Sequence, residues 1–410
     1  MKSSRQPLFA VAFAGVLMLA GCQALAPGGG GSGPIKLGLT APKTGGLARY
    51  TDGFLQGARI AVEEANAAGG VNGRQLELVE RDNKSTNEDS IESLRQLALE
   101  DRVSAVISQM SSAACLAVAG EAALQKMPYV ESCMADALTY QQGNKYTFRV
   151  HLNTWLQGAA AADLVAAKFP NAKRIYLLAS DYEFGHSLST RFRERLKEVK
   201  KDAEIVGEAY PKVAESNYAP YISALLGARP DVVMVNIAIV GPFFTQALSS
   251  GLMEKTKVLS PAWGSMDELS LLKKEQIPVG AWAAGIPWYA ITGNPKNDAF
   301  VKKTKEKFSK DPVTSDYFGY LSTLFAIEGI RKAGSTDADK IIAAMEGLSI
   351  DSPVGKLSVG KESHQARISY WFGEVKWDDA KGYGVLAGVS TFSGDKLLPT
   401  EEQVQGMRKK

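Results

Sequence analysis

Ile35-Lys36-Leu37-Gly38-Leu39, the run Thr51–Ala65, the turn Gly69-Gly70-Val71-Asn72-Gly73 and Gln75–Glu80 form one strand–helix–turn–strand unit. The first segment is short, apolar and Gly-bounded, as a buried strand is. A loop carrying Pro42, Gly45 and Gly46 follows, and Thr51 is a candidate N-cap. Phe54, Leu55, Ala58, Ala61, Val62 and Ala65 then recur at helical spacing and mark one apolar face. Gly69-Gly70 stops the helix and Asn72-Gly73 turns the chain into the next strand.

The unit repeats along the chain. Strands are expected at Ala105-Val106-Ile107, Tyr129-Val130, Tyr146–Val150, Arg174–Ala179, Glu204–Ala209, Val232–Val235 and Val258-Leu259. Helices are expected between them at 87–100, 112–125, 154–168, 186–200, 217–227 and 241–251. Alternating strands and helices imply an α/β fold with parallel sheets covered on both faces. The C-terminal third breaks the rhythm, with helices at 296–309, 316–333 and 337–347 and late strands at Gly355–Val359 and Arg367–Trp377. One open sheet does not absorb so many units, whereas two doubly wound lobes do. Ligands of such sheets sit outside the carboxyl ends of the strands, which in a two-lobe molecule is the cleft.

The N-terminus reads as an address. Lys2 and Arg5 precede an uncharged apolar run, residues 8–20, too short for a resident membrane helix and suited to a signal peptide over 1–21. Leu19-Ala20-Gly21-Cys22 resembles the bacterial lipobox, which implies lipidation of Cys22 and an envelope location facing the periplasm. Residues 22–34 are a Gly-rich linker without core-forming side chains. Gly28, Gly30 and Gly33 match a dinucleotide fingerprint only formally, because the strand follows them instead of preceding them.

The chain has 410 residues and a formal net charge of +3, and no basic cluster interleaves with aromatics, so nucleic acid is not expected as a partner. The basic stretch Val301–Lys310 reads as a solvated helix face. Its three histidines, His151, His186 and His364, are far apart and stand in no catalytic or metal motif. Gly355–Lys361 imitates a phosphate loop, but Glu362 stands where Ser or Thr is required. Asp82–Asn87 imitates a calcium loop, with Lys84 at a ligand position. No metal, cofactor or catalytic residue is expected, and binding is favoured over turnover. Cys115 and Cys133, 18 residues apart, fit no zinc pattern; they are a candidate disulfide, with two separate thiols as the alternative. Ser111-Ser112 and the Ser132–Asp136 segment follow strands, where hydroxyls and helix N-terminal amides suit an anion.

Several segments taken in order carry a family resemblance. Ile35–Leu39 with Gly45, Tyr50, Gly57, Ala61, Asn66 and Gly69–Gly73 resembles the opening of the leucine/isoleucine/valine-binding protein family. Arg81-Asp82-Asn83, Val106-Ile107 with Ser111-Ser112, Phe148-Arg149, Asp181-Tyr182-Glu183-Phe184-Gly185, Pro230-Asp231-Val232-Val233, Gly251-Leu252, Ala333–Asp337 and Pro353-Val354-Gly355 continue it. The resemblance implies the periplasmic substrate-binding component of an ABC importer, a type I two-lobe fold with three hinge crossings. The lobes would be 35–152 with 284–364, and 153–283 with 365–400, hinged near 150–153, 280–286 and 360–368.

The same resemblance implies a ligand carboxylate held by Ser111, Ser112 and the Ser132–Ala135 loop, Cys133 and Ala135 included. It implies Tyr50 covering the ligand, Phe184 where the family often has Tyr, Asn236 facing the cleft, and Trp263 beside the next contact loop. One position departs from the pattern: Ala262 stands where branched-chain amino-acid binders have a Glu that pairs with the ligand's ammonium. A ligand independent of that ammonium is therefore expected, unless Asp181, Glu183 or Asp267 restores the pairing. The implied partners are a small carboxylate-bearing molecule (amino acid, organic acid or amide), an inner-membrane ABC permease, and the membrane through the lipid anchor, the protein itself being a monomer. The alternative is a non-transport regulatory lipoprotein of the envelope on the same fold.

Overall fold

The computed structural model describes residues 33–45, 47–238, 240–262 and 266–409. The expected signal segment, Cys22 and most of the expected linker lie outside the described residues, as does Trp263. The first sheet is built from β1 (Ile35–Ala41), β2 (Leu76–Asp82), β3 (Ala105–Ser108), β4 (Tyr129–Glu131) and β5 (Thr147–Arg149). These run parallel in the order β2-β1-β3-β4-β5. Helices α1 (Thr51–Ala67), α2 (Asn87–Arg95) and α3 (Ser112–Leu124) connect them, and a five-residue π turn, Gln96–Glu100, extends α2.

After β5 the chain crosses to a second, seven-stranded sheet. α4 (Thr154–Lys168) leads into β6 (Arg174–Ala179), α5 (Glu183–Val199), β7 (Glu204–Ala209), α6 (Ala219–Ala228) and β8 (Val232–Asn236). α7 (Gly241–Ser249), α8 (Leu252–Lys255), β9 (Lys257–Ser260), α9 (Met266–Leu269) and β10 (Trp282–Gly285) complete the pass. The chain then returns with α10 (Pro295–Phe308), α11 (Thr314–Ala333) and α12 (Ala338–Met345), and α11 packs along α1 of the first lobe. A small antiparallel sheet follows, β11 (Ser349–Ser352), β12 (Gly355–Val359) and β13 (Ala366–Arg367). The last crossing delivers β14 (Tyr370–Asp378) and β15 (Tyr383–Phe392), and two short helices, α13 (Gly394–Leu397) and α14 (Glu401–Arg408), end the chain.

Why the strands are so uniformly apolar follows from their burial on both faces. Ile175 and Leu177 of β6 enter one core while Tyr176 and Leu178 enter another, and β8 divides the same way, Val232 and Met234 against Val233 and Val235. In the first lobe Ala105 and Ile107 face one side of β3 and Val106 the other. Alternate residues thus fill two layers of helices, the doubly wound arrangement expected.

The structure refines several expected elements. The stretch 367–377 is not one strand: β13 belongs to the small sheet, and β14 pairs antiparallel with β10 in the large one. β10 and β15 were not anticipated, and β15 forms a hairpin edge beyond β14. Among the described residues, no helix is long and apolar enough to cross a membrane.

Candidate functional site

The carboxyl ends of both sheets converge on one cavity of about 510 Å³. The first sheet contributes Tyr50 after β1, Ser111 and Ser112 after β3, and Ser132 and Cys133 after β4. The second contributes Tyr182 and Phe184 after β6, Ala238 after β8, and Ala262, Asp267 and Glu268 after β9. Leu152 lines it from the first crossing, Gln157 from α4, Phe318 from α11 and Tyr370 from β14.

One wall is built of hydroxyls. Ser111 is the N-cap of α3, its Oγ accepting from the Ala114 amide at 3.2 Å, so it leads the positive end of a 13-residue helix dipole. Ser112 Oγ accepts from the Ala135 amide at 3.2 Å, leaving its proton to donate elsewhere. Ser132 Oγ is buried without a partner. A buried hydroxyl left unpaired costs about 1–3 kcal/mol, which a ligand oxygen arriving there would recover.

The facing wall is acidic. Tyr50 Oη donates to Glu268 Oε1 at 2.6 Å and accepts from Arg49 Nη2 at 2.7 Å, while the same guanidinium nitrogen donates to the Ala238 carbonyl at 3.0 Å. Burial first, then the Glu268 carboxylate, push the Tyr50 phenol well above its ordinary value, so it stays a donor. Asp267 accepts from the Ser315 amide at 3.2 Å and from the Ser315 hydroxyl. These contacts join elements of the first lobe (Arg49, Tyr50, Ser315) to loops of the second.

Behind the serine wall lies a buried charged network. Arg149, with no exposed surface, donates to the Cys133 and Ala135 carbonyls at 2.9 and 2.7 Å, to Thr139 at 2.6 Å and to Gln365 at 2.6 Å. Its Nε lies 3.4 Å from Glu131 Oε1. Burial raises Glu131 to about 7, against the pull of Arg149 and of the Cys133 amide. The network fixes the backbone of the 132–135 loop from below. Cys115 and Cys133 are joined as a disulfide with Cα atoms 6.4 Å apart, tying the first turn of α3 to that loop. Closing an 18-residue loop this way is worth about 3 kcal/mol in the chain-entropy account.

The structure thus brings Tyr50, Ser111, Ser112, Ser132, Cys133 and Phe184 to one cavity. Ala135 does not line it: it is fully buried, and its amide and carbonyl are engaged by Ser112 and Arg149. Asn236 is also off the cavity, because the chain passes it before turning inward at Ile237 and Ala238; its side chain points to the Phe184 carbonyl at 3.5 Å. Of the acids that could replace the missing Glu, Asp267 lines the cavity, whereas Asp181 pairs with exposed His186 at 2.9 Å and Glu183 is exposed. Glu268, Arg49, Gln157, Tyr182, Phe318 and Tyr370 were missed. The only signal for Glu268 was an acidic pair opening a short helix after an apolar strand. Gln157 and Tyr370 gave none, since both lie within apolar runs.

Residues 34–382 match the periplasmic binding protein family. The chain belongs to that family. A leucine-, isoleucine-, valine-, threonine- and alanine-binding protein of Pseudomonas aeruginosa is 27% identical over 334 residues, covering 79% of this chain and 85% of the relative. Among solved structures, an amino acid ABC transporter substrate-binding protein from Pseudomonas fluorescens Pf-5 superposes with a TM-score of 0.81 at 23% identity, covering 90% of this chain and 98% of the other. A solute-binding protein of an ABC transporter from Rhodopseudomonas palustris BisB5, in complex with 3,4-dihydroxybenzoic acid, gives 0.78 at 24% identity, with coverage of 88% and 98%. The periplasmic binding protein fold, the expected two parallel-sheet lobes included, is what these neighbours share. They are solute-binding proteins of ABC transporters and not enzymes, and the family places the protein in the periplasm.

Proposed function

We propose that this periplasmic binding protein is the lipid-anchored receptor of an ABC importer, capturing a small carboxylate-bearing solute in the cleft and presenting it to an inner-membrane permease. The observation that carries this reading is the polarity of the cavity: hydroxyls and a helix N-terminus on one wall, Asp267 and Glu268 on the other, apolar surface from Leu152, Phe184 and Phe318 between them. Such a cleft suits a solute with an anionic head and an apolar body. Lobe boundaries at 35–152 with 284–364 and 153–283 with 365–400 belong to the same proposal, as do a monomeric state and anchoring through Cys22.

Amino acids and ammonium-free organic acids both fall within the class. Ala262 on the cavity wall favours the second and the Asp267–Glu268 pair the first. A thermal-shift panel of matched compounds separates them: leucine against 4-methylpentanoate, phenylalanine against phenylpropanoate, each with its amide. Ligand at a hundredfold excess over Kd raises apparent stability by about 2.7 kcal/mol. Acids that stabilise while their amides do not support the reading; a panel without any response favours the envelope-regulator alternative. For the anchor, Cys22→Ser should leave the signal peptide attached, and an unmodified Cys22 in mature protein, seen by mass spectrometry, would contradict it.

A further inference from the structure

Gln157 is a buried amide on the cavity wall whose orientation is set by its neighbours. The side chain is 3% exposed and stands in the first turns of α4, a helix capped by Asn153 and held by a hydrogen bond from the Thr154 amide to the Met134 carbonyl at 2.8 Å. Its Nε2 donates to Tyr370 Oη at 3.5 Å. Tyr370 is fully buried and its single hydroxyl proton is committed to the Pro261 carbonyl. The phenolic oxygen can therefore only accept, which requires the amide to face it with nitrogen and not with oxygen. Gln157 Oε1 is consequently turned away from Tyr370, buried and without a partner, in a side chain that lines the cavity. A carbonyl oxygen cannot supply its own proton, so what completes it must be a donor.

We infer that Gln157 Oε1 is a specificity-determining acceptor for an N–H or O–H group carried by the solute, a contact separate from the serine wall that receives the carboxylate. This rests on the solute-binding reading of the cavity. A solute with a methyl or ring C–H at that point would leave the carbonyl unpaired in a closed, low-dielectric cleft, and sites built around a buried hydrogen bond reject analogues that lack it. Tyr370 acts as a positioning residue: it holds the amide in the orientation that presents oxygen.

The test is titration calorimetry with pairs that differ only in the donor: leucine and 4-methylpentanoate, threonine and valine, tyrosine and phenylalanine, 4-hydroxybenzoate and benzoate. In at least one pair the donor-bearing member should bind the wild-type protein about tenfold tighter or more. Gln157→Met should reduce that preference to within about twofold, weakening the donor-bearing member and leaving the other unchanged. The pair that collapses tells whether the donor is an ammonium or a hydroxyl. Should Gln157→Met not fold, Tyr370→Phe frees the amide to rotate and should lower the same preference part-way. A preference that survives both substitutions, or no preference in any pair, overturns the inference. Binding that Ser132→Ala weakens and Gln157→Met does not would overturn it while leaving the carboxylate reading in place; no binding by any probe overturns both.

Discussion

Ser132 separates a structural from a binding role more cleanly than any other side chain here. Its hydroxyl is buried with no partner, so in the ligand-free protein it stabilises nothing and its desolvation is a net cost. Ser132→Ala should leave the ligand-free protein as stable as wild type or more stable, by up to about 1–3 kcal/mol in denaturant titration, while weakening ligand binding by about 1–3 kcal/mol; a loss of stability would show that the hydroxyl serves the fold. His151 contributes to the acid sensitivity of the crossing together with His364, which burial lowers to about 4. Burial, and next the Arg149 charge, lower His151 to about 3 from the usual 6.5, so the unfolded chain takes up a proton that the folded one refuses. The stability this represents is present above pH 6.5 and lost as the pH falls towards 3. Glu131, raised to about 7, has the opposite slope, and it is shared by wild type and variant. His151→Asn should therefore lose less stability than wild type between pH 6.5 and 4, and an identical acid limb would contradict the assignment. At this scale the sequence was legible where chemistry and position coincide, as at Ser111, Ser112 and Ser132, each placed just past a strand. It was silent at Gln157 and Tyr370, because a polar atom aimed into a cleft looks, in one dimension, like any other residue of an apolar helix or strand.

Between elements, the tightest joint is the crossing of α1 and α11. A Cβ at Gly57 would collide with the Asp316 carbonyl, and one at Gly319 with the carbonyl of Phe54, so neither main chain can withdraw without moving its helix. Gly57→Ala should cost at least about 1–3 kcal/mol by thermal unfolding, the usual range for overpacking, despite alanine's better helix propensity; a neutral or stabilising effect would mean the helices are not in this contact. The helices of the repeating units were readable to within a few residues, α4 over the very span expected, because capping side chains and apolar periodicity are local. β10, β14 and β15 were harder. β10 is a four-residue strand, Trp-Ala-Ala-Gly, with no β-branched residue despite Pro278, Gly280 and Pro287 around it, and the split between β13 and β14 depends on which sheet each joins, a long-range fact that no local pattern encodes.

In the molecule as a whole, three passages between the sheets lie near the cleft, and two are tied together. Gln365 accepts from Arg149 Nε at 2.6 Å and donates to the His151 carbonyl at 2.7 Å, while the Arg149 amide donates to the His364 carbonyl at 2.9 Å. Across the cleft mouth, Arg49 and Tyr50 reach Ala238 and Glu268, and Ser315 reaches Asp267. Each of these hydrogen bonds involves a charged group, Arg49, Glu268 or Asp267, and such bonds contribute up to about 1.5–3 kcal/mol, enough to bias the lobes toward the bridged arrangement. On the proposed function, closure would be a population shift driven by contacts that exist only when both lobes touch the solute. The two-lobe architecture was legible in the sequence because too many strand–helix units were present for one sheet; the contacts across the mouth were not, because they pair residues 189, 218 and 48 positions apart, which no local pattern links. Small-angle X-ray scattering on the mature protein, alone and saturated with the most stabilising carboxylate from the panel, tests closure on a solute directly. The account predicts a smaller radius of gyration in the saturated sample, with a profile matching the bridged structure described here; an unchanged radius at saturation would contradict it.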